Sequence, residues 1–295
     1  MVAPILWSVL NHVDKYLVSK FKNEVGVGGL AIFSSIFAVT LLPVVYYIDP
    51  SVVFADGKAI LLLVVTGVFF SSAILCYLYA LDRDDASHVV PFWFLIPVFA
   101  YVLGIFVLGE HIVTGKILAS ATILLGALIL SLEFDEGVRI KKQTPLLMIA
   151  SSVLFAITDV VFKKFALDSS FAVSVFWNQV GMVVFGLFCL FFIKKFRHDF
   201  IKICREKKLI WGLNLCGELV QSGATIVNFY AMLIAPVALV LVVNYTFQPL
   251  FVFAIGIFMT LFFPHISKER ITKGHIIQKA SALVVMTVGI YLLLL

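Results

Sequence analysis

The sequence predicts an all-α membrane protein whose ten transmembrane helices form two inverted five-helix repeats. Three observations predict it: a composition too apolar for water, ten apolar runs of membrane-spanning length, and an internal repeat that covers five runs at a time. Of 295 residues, 62% are hydrophobic and 13% charged, against about 45–50% and about 25% in ordinary soluble domains. The mean hydropathy is +1.10. A soluble chain of this size needs roughly twice as many charges to cover its surface, which excludes a water-soluble globular protein. The apolar runs show no dyad alternation, which excludes a membrane β-barrel.

Runs bounded by charge, Gly or Pro place the helices at 2 to 20, 27 to 48, 59 to 81, 89 to 109, 114 to 133, 145 to 166, 171 to 193, 209 to 233, 237 to 262 and 275 to 295. The first reads as a retained span, because no basic segment precedes Val2 and Asn11 to Lys15 interrupt it before any cleavage site. Loops are mostly short. The longest, 194 to 208, reads as a solvated basic stretch. Cys76, Cys189 and Cys216 fall in apolar runs and Cys204 in that basic loop, with no C-x-x-C spacing, so neither a metal site nor a disulfide framework is implied. The net charge of +5 sits in loops, where it signals topology and not a nucleic-acid partner.

The repeat is visible residue by residue. Ser8-Val9-Leu10 recurs as Ser152-Val153-Leu154 and Lys20-Phe21 as Lys164-Phe165, which aligns span 1 with span 6. Tyr79-Ala80 in span 3 matches Tyr230-Ala231 in span 8, and Pro97 with Gly104-Ile105-Phe106 matches Pro249 with Gly256-Ile257-Phe258. Glu110 to Gly115 matches Glu269 to Gly274, and Gly126 matches Gly289. The units divide at 1-143 and 144-295. An odd number of spans per unit inserts the second upside down relative to the first, an arrangement suited to alternating access around a central site.

On these residues the sequence resembles the drug/metabolite transporter superfamily, in particular its EamA-like branch. The resemblance is carried by the Y-A-L of Tyr79 to Leu81, the Pro97 helix, Leu108-Gly109-Glu110, and Gly115 and Gly126, with degenerate copies in the second half. It covers essentially the whole chain. One departure is Lys268-Glu269, which stands where the family commonly has Gly-Glu, behind an enlarged 262 to 273 loop. The resemblance implies a small-solute carrier with a cavity lined by helices 1 to 4 and 6 to 9.

Candidate site residues follow from polar groups inside the spans, which are expensive in hydrocarbon and usually face a cavity or a partner. In span 1, Ser8, Asn11, His12, Lys15 and Ser19 form one helical stripe, with Asp14 at its edge. In span 6, Asp159 is the repeat equivalent of Lys15 and opposite in charge; the plainer alternative is a local pair of Asp159 with Lys163, and snorkelling of Asp14 and Lys15. In span 8, Asn214, Glu218, Gln221, Thr225 and Asn228 line one face at i, i+4, i+7, i+11 and i+14. A packing seam can use Asn and Gln for about 0.6 to 2 kcal/mol, but a mid-membrane carboxylate is a poor choice for that job, so Glu218 is expected to be functional. Span 9 adds Asn244 and Gln248 just before Pro249, and span 7 adds Asn178 and Gln179. His88, Ser71, Ser72, Tyr77 and Trp93 offer a more aromatic wall, on which Trp93 and Tyr77 can stack a ring or cover a cation. Trp7 and Trp211 read as interface anchors. Spans 5 and 10 are nearly all apolar and read as lipid-facing or as a homodimer contact.

Among the familiar catalytic signatures, a P-loop, HExxH, GxSxG and a clustered Cys/His set are all missing from the sequence. No enzyme activity, cofactor or metal is therefore expected. What remains is a secondary active transporter for a small polar or zwitterionic organic metabolite, driven by protons or by exchange, with Glu218 or Asp159 as the proton-carrying group. The mixed charges of Lys15, Asp159 and Glu218 favour a zwitterion. The alternatives are a flippase or carrier for an amphipathic, lipid-linked or quaternary-amine substrate, and a membrane scaffold whose polar stripes merely pack. Sixteen Lys and Arg fall on the side of loops 1-2, 3-4, 5-6, 7-8 and 9-10, and four on the other. By the positive-inside rule both termini are extracytoplasmic, in a prokaryotic plasma (inner) membrane.

Overall fold

The computed structural model describes residues 2–20, 26–83, 89–110, 113–131, 143–206, 208–262 and 273–294, and every regular element among them is helical. Helix α1 is Val2–Lys20. The second apolar run is broken into α2 (Val27–Phe37), a 3-10 turn and α3 (Leu41–Ile48). The break lies at the carbonyls that Pro43 cannot engage, since proline has no N–H to donate one turn back, and the Thr40 hydroxyl there donates to the Phe37 carbonyl at 2.8 Å. A 3-10 turn over Pro50–Phe54 follows, anchored by Asp49, and the Asp56 carboxylate caps α4 (Gly57–Arg83) by accepting from the N–H groups of Lys58 and Ala59.

The 3-10 turn Val90–Phe94 leads into α5 (Leu95–Leu108), α6 is Thr114–Ser131, α7 is Gln143–Asp168 and α8 is Phe171–Phe192. Next come α9 (Lys194–Glu206), α10 (Lys208–Ile234), α11 (Val237–Phe262) and α12 (Lys273–Leu294). Five described segments are by themselves long and apolar enough to cross a membrane: Val27–Ile48, Gly57–Arg83, Gln143–Asp168, Phe171–Phe192 and Val237–Met259. Shorter apolar helices cover Phe92–Leu108 and Thr114–Gly126. The chain is thus a multi-pass integral membrane protein.

The basic stretch after α8 is not simply a solvated loop. Phe196, Phe200 and Ile203 recur at i, i+4 and i+7, so a helix gathers them on one face, with Lys194, Lys195, Arg197, His198 and Arg205 exposed. That apolar face docks on the start of α2, where Gly26, Gly28 and Gly29 leave no room for a Cβ beside Asp199, Phe196 and Ile203.

Packing brings α7 against α4 and α5, α1 against α10 and α11, and α8 against α4 and α2. Helices α6 and α12 pair closely along Gly126 and Gly289, with Leu118, Leu125, Val284 and Val288 exposed on their outer faces. Water-driven collapse has no counterpart between helices in lipid, so shape and interhelical hydrogen bonds matter. Phe162 stacks on Phe229 with centroids 3.7 Å apart. The Ser151 hydroxyl donates to the Ala73 carbonyl at 2.9 Å and that of Thr158 to the Thr66 carbonyl at 3.2 Å, tying α7 to α4.

Candidate functional site

Two adjoining chambers lie among these helices. The first encloses about 90 Å³. Helix α1 contributes Trp7, Leu10, Asn11 and Asp14; α4 contributes Phe70, Ile74 and Tyr77; the turn before α5 contributes Trp93. Its far wall is Phe155 and Asp159 of α7, Gln221, Thr225, Asn228 and Phe229 of α10, and Tyr245 and Gln248 of α11. The second chamber, about 80 Å³, shares Leu10, Asp14, Ile74, Tyr77 and Gln221 with the first and adds Ser34 of α2 and Asn214, Gly217 and Glu218 of α10. The two chambers therefore meet at Asp14.

The polar stripe of α10 runs along both. Asn214 and Glu218 face the second chamber, Gln221 faces both, and Thr225 and Asn228 face the first. Glu218 accepts a hydrogen bond from the Ser34 hydroxyl and lies near enough to Asp14 for their charges to interact. Asp159 is 5% exposed and opens only into the first chamber. Asn11 and Gln248 join that wall, and the Gln248 carbonyl accepts from the Ser8 hydroxyl at 2.9 Å.

Two expected residues turn elsewhere. The His12 Nε2 lies 2.9 Å from the Val252 carbonyl, so this ring ties α1 to α11. The Asn244 amide donates to the Asn228 side-chain oxygen at 2.6 Å, bracing α11 on α10 behind the chamber. Lys15 lies in α1, its side chain outside the described residues, as are His88 and the Lys268-Glu269 turn.

The aromatic wall is longer than the sequence suggested. Tyr77 and Trp93 have ring centroids 4.6 Å apart, Trp93 and Tyr245 6.2 Å, and Tyr245 and Trp7 6.4 Å with planes 10° apart. Trp7 is thus a lining residue, not the expected interface anchor. The indole Nε1 atoms of Trp7 and Trp93 are both buried without a hydrogen-bond acceptor. Asp14 is the other residue whose importance sequence reasoning understated, since its edge position on the stripe left it indistinguishable from a snorkelling group.

Beyond the first chamber, one end of the bundle is closed. Lys163 does not pair with Asp159. Its Nζ donates to Glu110 Oε1 at 2.6 Å and to the Ala235 carbonyl at 2.8 Å, while Glu110 also accepts from the Val237 N–H at 3.1 Å. Gly109, at φ +66°, turns the chain out of α5 so that Glu110 faces inward. Nearby, Trp177 Nε1 donates to the Val52 carbonyl at 2.8 Å and the Asn178 amide to the Thr66 hydroxyl at 3.0 Å. Gly67 and Gly181 let α4 and α8 cross in backbone contact, since a Cβ on either would strike the other helix.

Comparison with known proteins agrees with this architecture. The EamA-like transporter family model matches residues 1–132, consistent with the drug/metabolite transporter superfamily and with a membrane transporter. A crystal structure of another protein aligns over 99% of this chain and 94% of its own with a TM-score of 0.68 at 15% identity, which shows a shared fold. None of the curated proteins matches the sequence.

Proposed function

We propose that the protein is a secondary active transporter that moves a small polar or zwitterionic organic metabolite by alternating access, coupled to protons or to exchange. The carrying observation is the pair of chambers between the helices, lined by buried acids and amides and closed off at one end by the Glu110–Lys163 cluster. A scaffold has no use for such a cavity. Solute would enter from the Glu218 chamber, bind beside Asp159, and leave once the sealed end opened and the entry side closed.

The ten-span inverted repeat belongs to this reading. Its support is a pattern of contacts: α1 packs on α10 and α11 as α7 packs on α4 and α5, which is the pairing that the 1-143 and 144-295 repeat requires. The α6–α12 pair lies apart from both chambers and leaves an apolar outer face for lipid or for a second copy of the chain. Both termini are placed outside a prokaryotic plasma membrane by the positive-inside rule.

In this mechanism Glu218, with neutral neighbours Asn214 and Gln221, accepts a proton in one half-cycle and a substrate ammonium in the other. Uptake of labelled solutes into proteoliposomes tests the proposal. Saturable, gradient-dependent accumulation is expected, and accumulation equal to that of protein-free vesicles across a metabolite panel would refute it.

A further inference from the structure

We infer that the transported solute is an organic amine with a flat apolar body bearing a hydrogen-bond acceptor, its ammonium handed between Asp159, Asp14 and Glu218. This rests on the carrier reading above and narrows its substrate class. The charge balance of the cavity carries it. Three carboxylates line the two chambers, and no Lys, Arg or His does so among the described residues. Anions buried in a low-dielectric site need cationic compensation, and here the ligand is the one partner left to supply it. A zwitterion would bring its own carboxylate into the same acidic cavity and find only neutral donors.

The occupant is organic and not a metal ion. Asp14, Asp159 and Glu218 do not converge, since no group of three or more potential metal ligands forms among the described residues. They are spread over two chambers, with Asp14 at the junction, which suits an ammonium passed from one station to the next. Around the first station stand Tyr77, Trp93, Tyr245 and Trp7, whose faces attract a cation and stack on a flat body. An independent observation completes the description. The Trp93 side chain is 9% exposed, lines the chamber, and its Nε1–H has no acceptor within the protein. A buried donor left unpaired costs free energy that an acceptor on the ligand restores.

The test is a matched ligand series on the purified full-length protein in lipid nanodiscs: phenethylamine, its para-methoxy analogue, free phenylalanine and phenylpropionate. Both amines should bind saturably. Phenylalanine should bind at least about tenfold more weakly, the scale of one charge-assisted contact, and phenylpropionate not at all. The para-methoxy analogue should exceed phenethylamine by about threefold, the scale of one neutral hydrogen bond, and Trp93→Phe should erase that gain while retaining phenethylamine binding. Asp14→Asn should weaken both amines by about tenfold or more. Phenylalanine or phenylpropionate binding as tightly as the amines, or failure of every amine to bind, would overturn the inference. Should Asp14→Asn not fold, the wild-type series and Trp93→Phe still decide it. The carrier reading fails separately: amines that bind but never cross a proteoliposome membrane would refute transport and leave the amine site standing.

Discussion

Lys163 Nζ lies 2.6 Å from Glu110 Oε1, with side chains 8% and 15% exposed, joining residues 53 apart in sequence at the sealed end of the bundle. The pair does more than bridge two helices. Because Lys163 also holds the Ala235 carbonyl and Glu110 the Val237 N–H, it ties α5, α7 and the α10–α11 turn into one knot.

Removing one partner should therefore cost more than removing both. Lys163→Met strands a largely buried carboxylate and is expected to lower stability by about 3 kcal/mol, whereas Lys163→Met with Glu110→Gln should recover much of that loss. Thermal or chemical unfolding in detergent checks it. A single variant as stable as the double would show that the knot holds nothing.

Glu218→Gln preserves volume and removes a charge from the chamber, so the protein should fold and remain at least as thermostable as the parent. Gradient-driven transport should be lost. Asn214→Ala and Asp159→Asn should reduce transport less completely. Normal gradient-driven uptake by Glu218→Gln across the pH range would reduce the α10 stripe to a packing seam.

The α4–α8 crossing makes a sharper steric prediction. A Cβ at Gly67 or Gly181 meets backbone atoms of the opposite helix, which cannot swing aside as a side chain can. Gly181→Ala should destabilise by about 1–3 kcal/mol, as overpacking does. Gly57→Ala, where nothing lies within 4 Å, is the control and should stay within about 0.5 kcal/mol of the parent. Equal stabilities for the two would refute the close crossing.

Orientation can be read from Cys204, exposed on α9. With the basic loops cytoplasmic, an impermeant maleimide should label it only after the cells are permeabilised. A Cys204→Ser variant identifies signal from the exposed Cys216. Labelling of Cys204 in intact cells would invert the assigned topology.

The helical membrane class was legible in composition and run length, because hydrocarbon imposes both on every span. The α10 stripe was legible because polar residues stand out against an apolar background at helical spacing. Tyr245 and Trp7 were not, for the opposite reason: an aromatic within an apolar run creates no contrast, and only the fold places the two rings in contact. Lys163 misled because Asp159, four residues away, offered a local partner, whereas its observed one comes from the end of another helix. The α9 helix was hidden by its own charge, five exposed basic residues masking a three-residue apolar face.

The interlock of α9 with the glycine-rich start of α2 also has a mechanical meaning. Ser34 of α2 holds Glu218, so the helix that touches the coupling carboxylate is rigidly geared to a charged rod outside the hydrocarbon. Whatever tilts α2 during turnover must swing that rod with it. A fluorophore on the exposed face of α9 would thus act as a pointer, translating events beside Glu218 into a signal readable from the water phase.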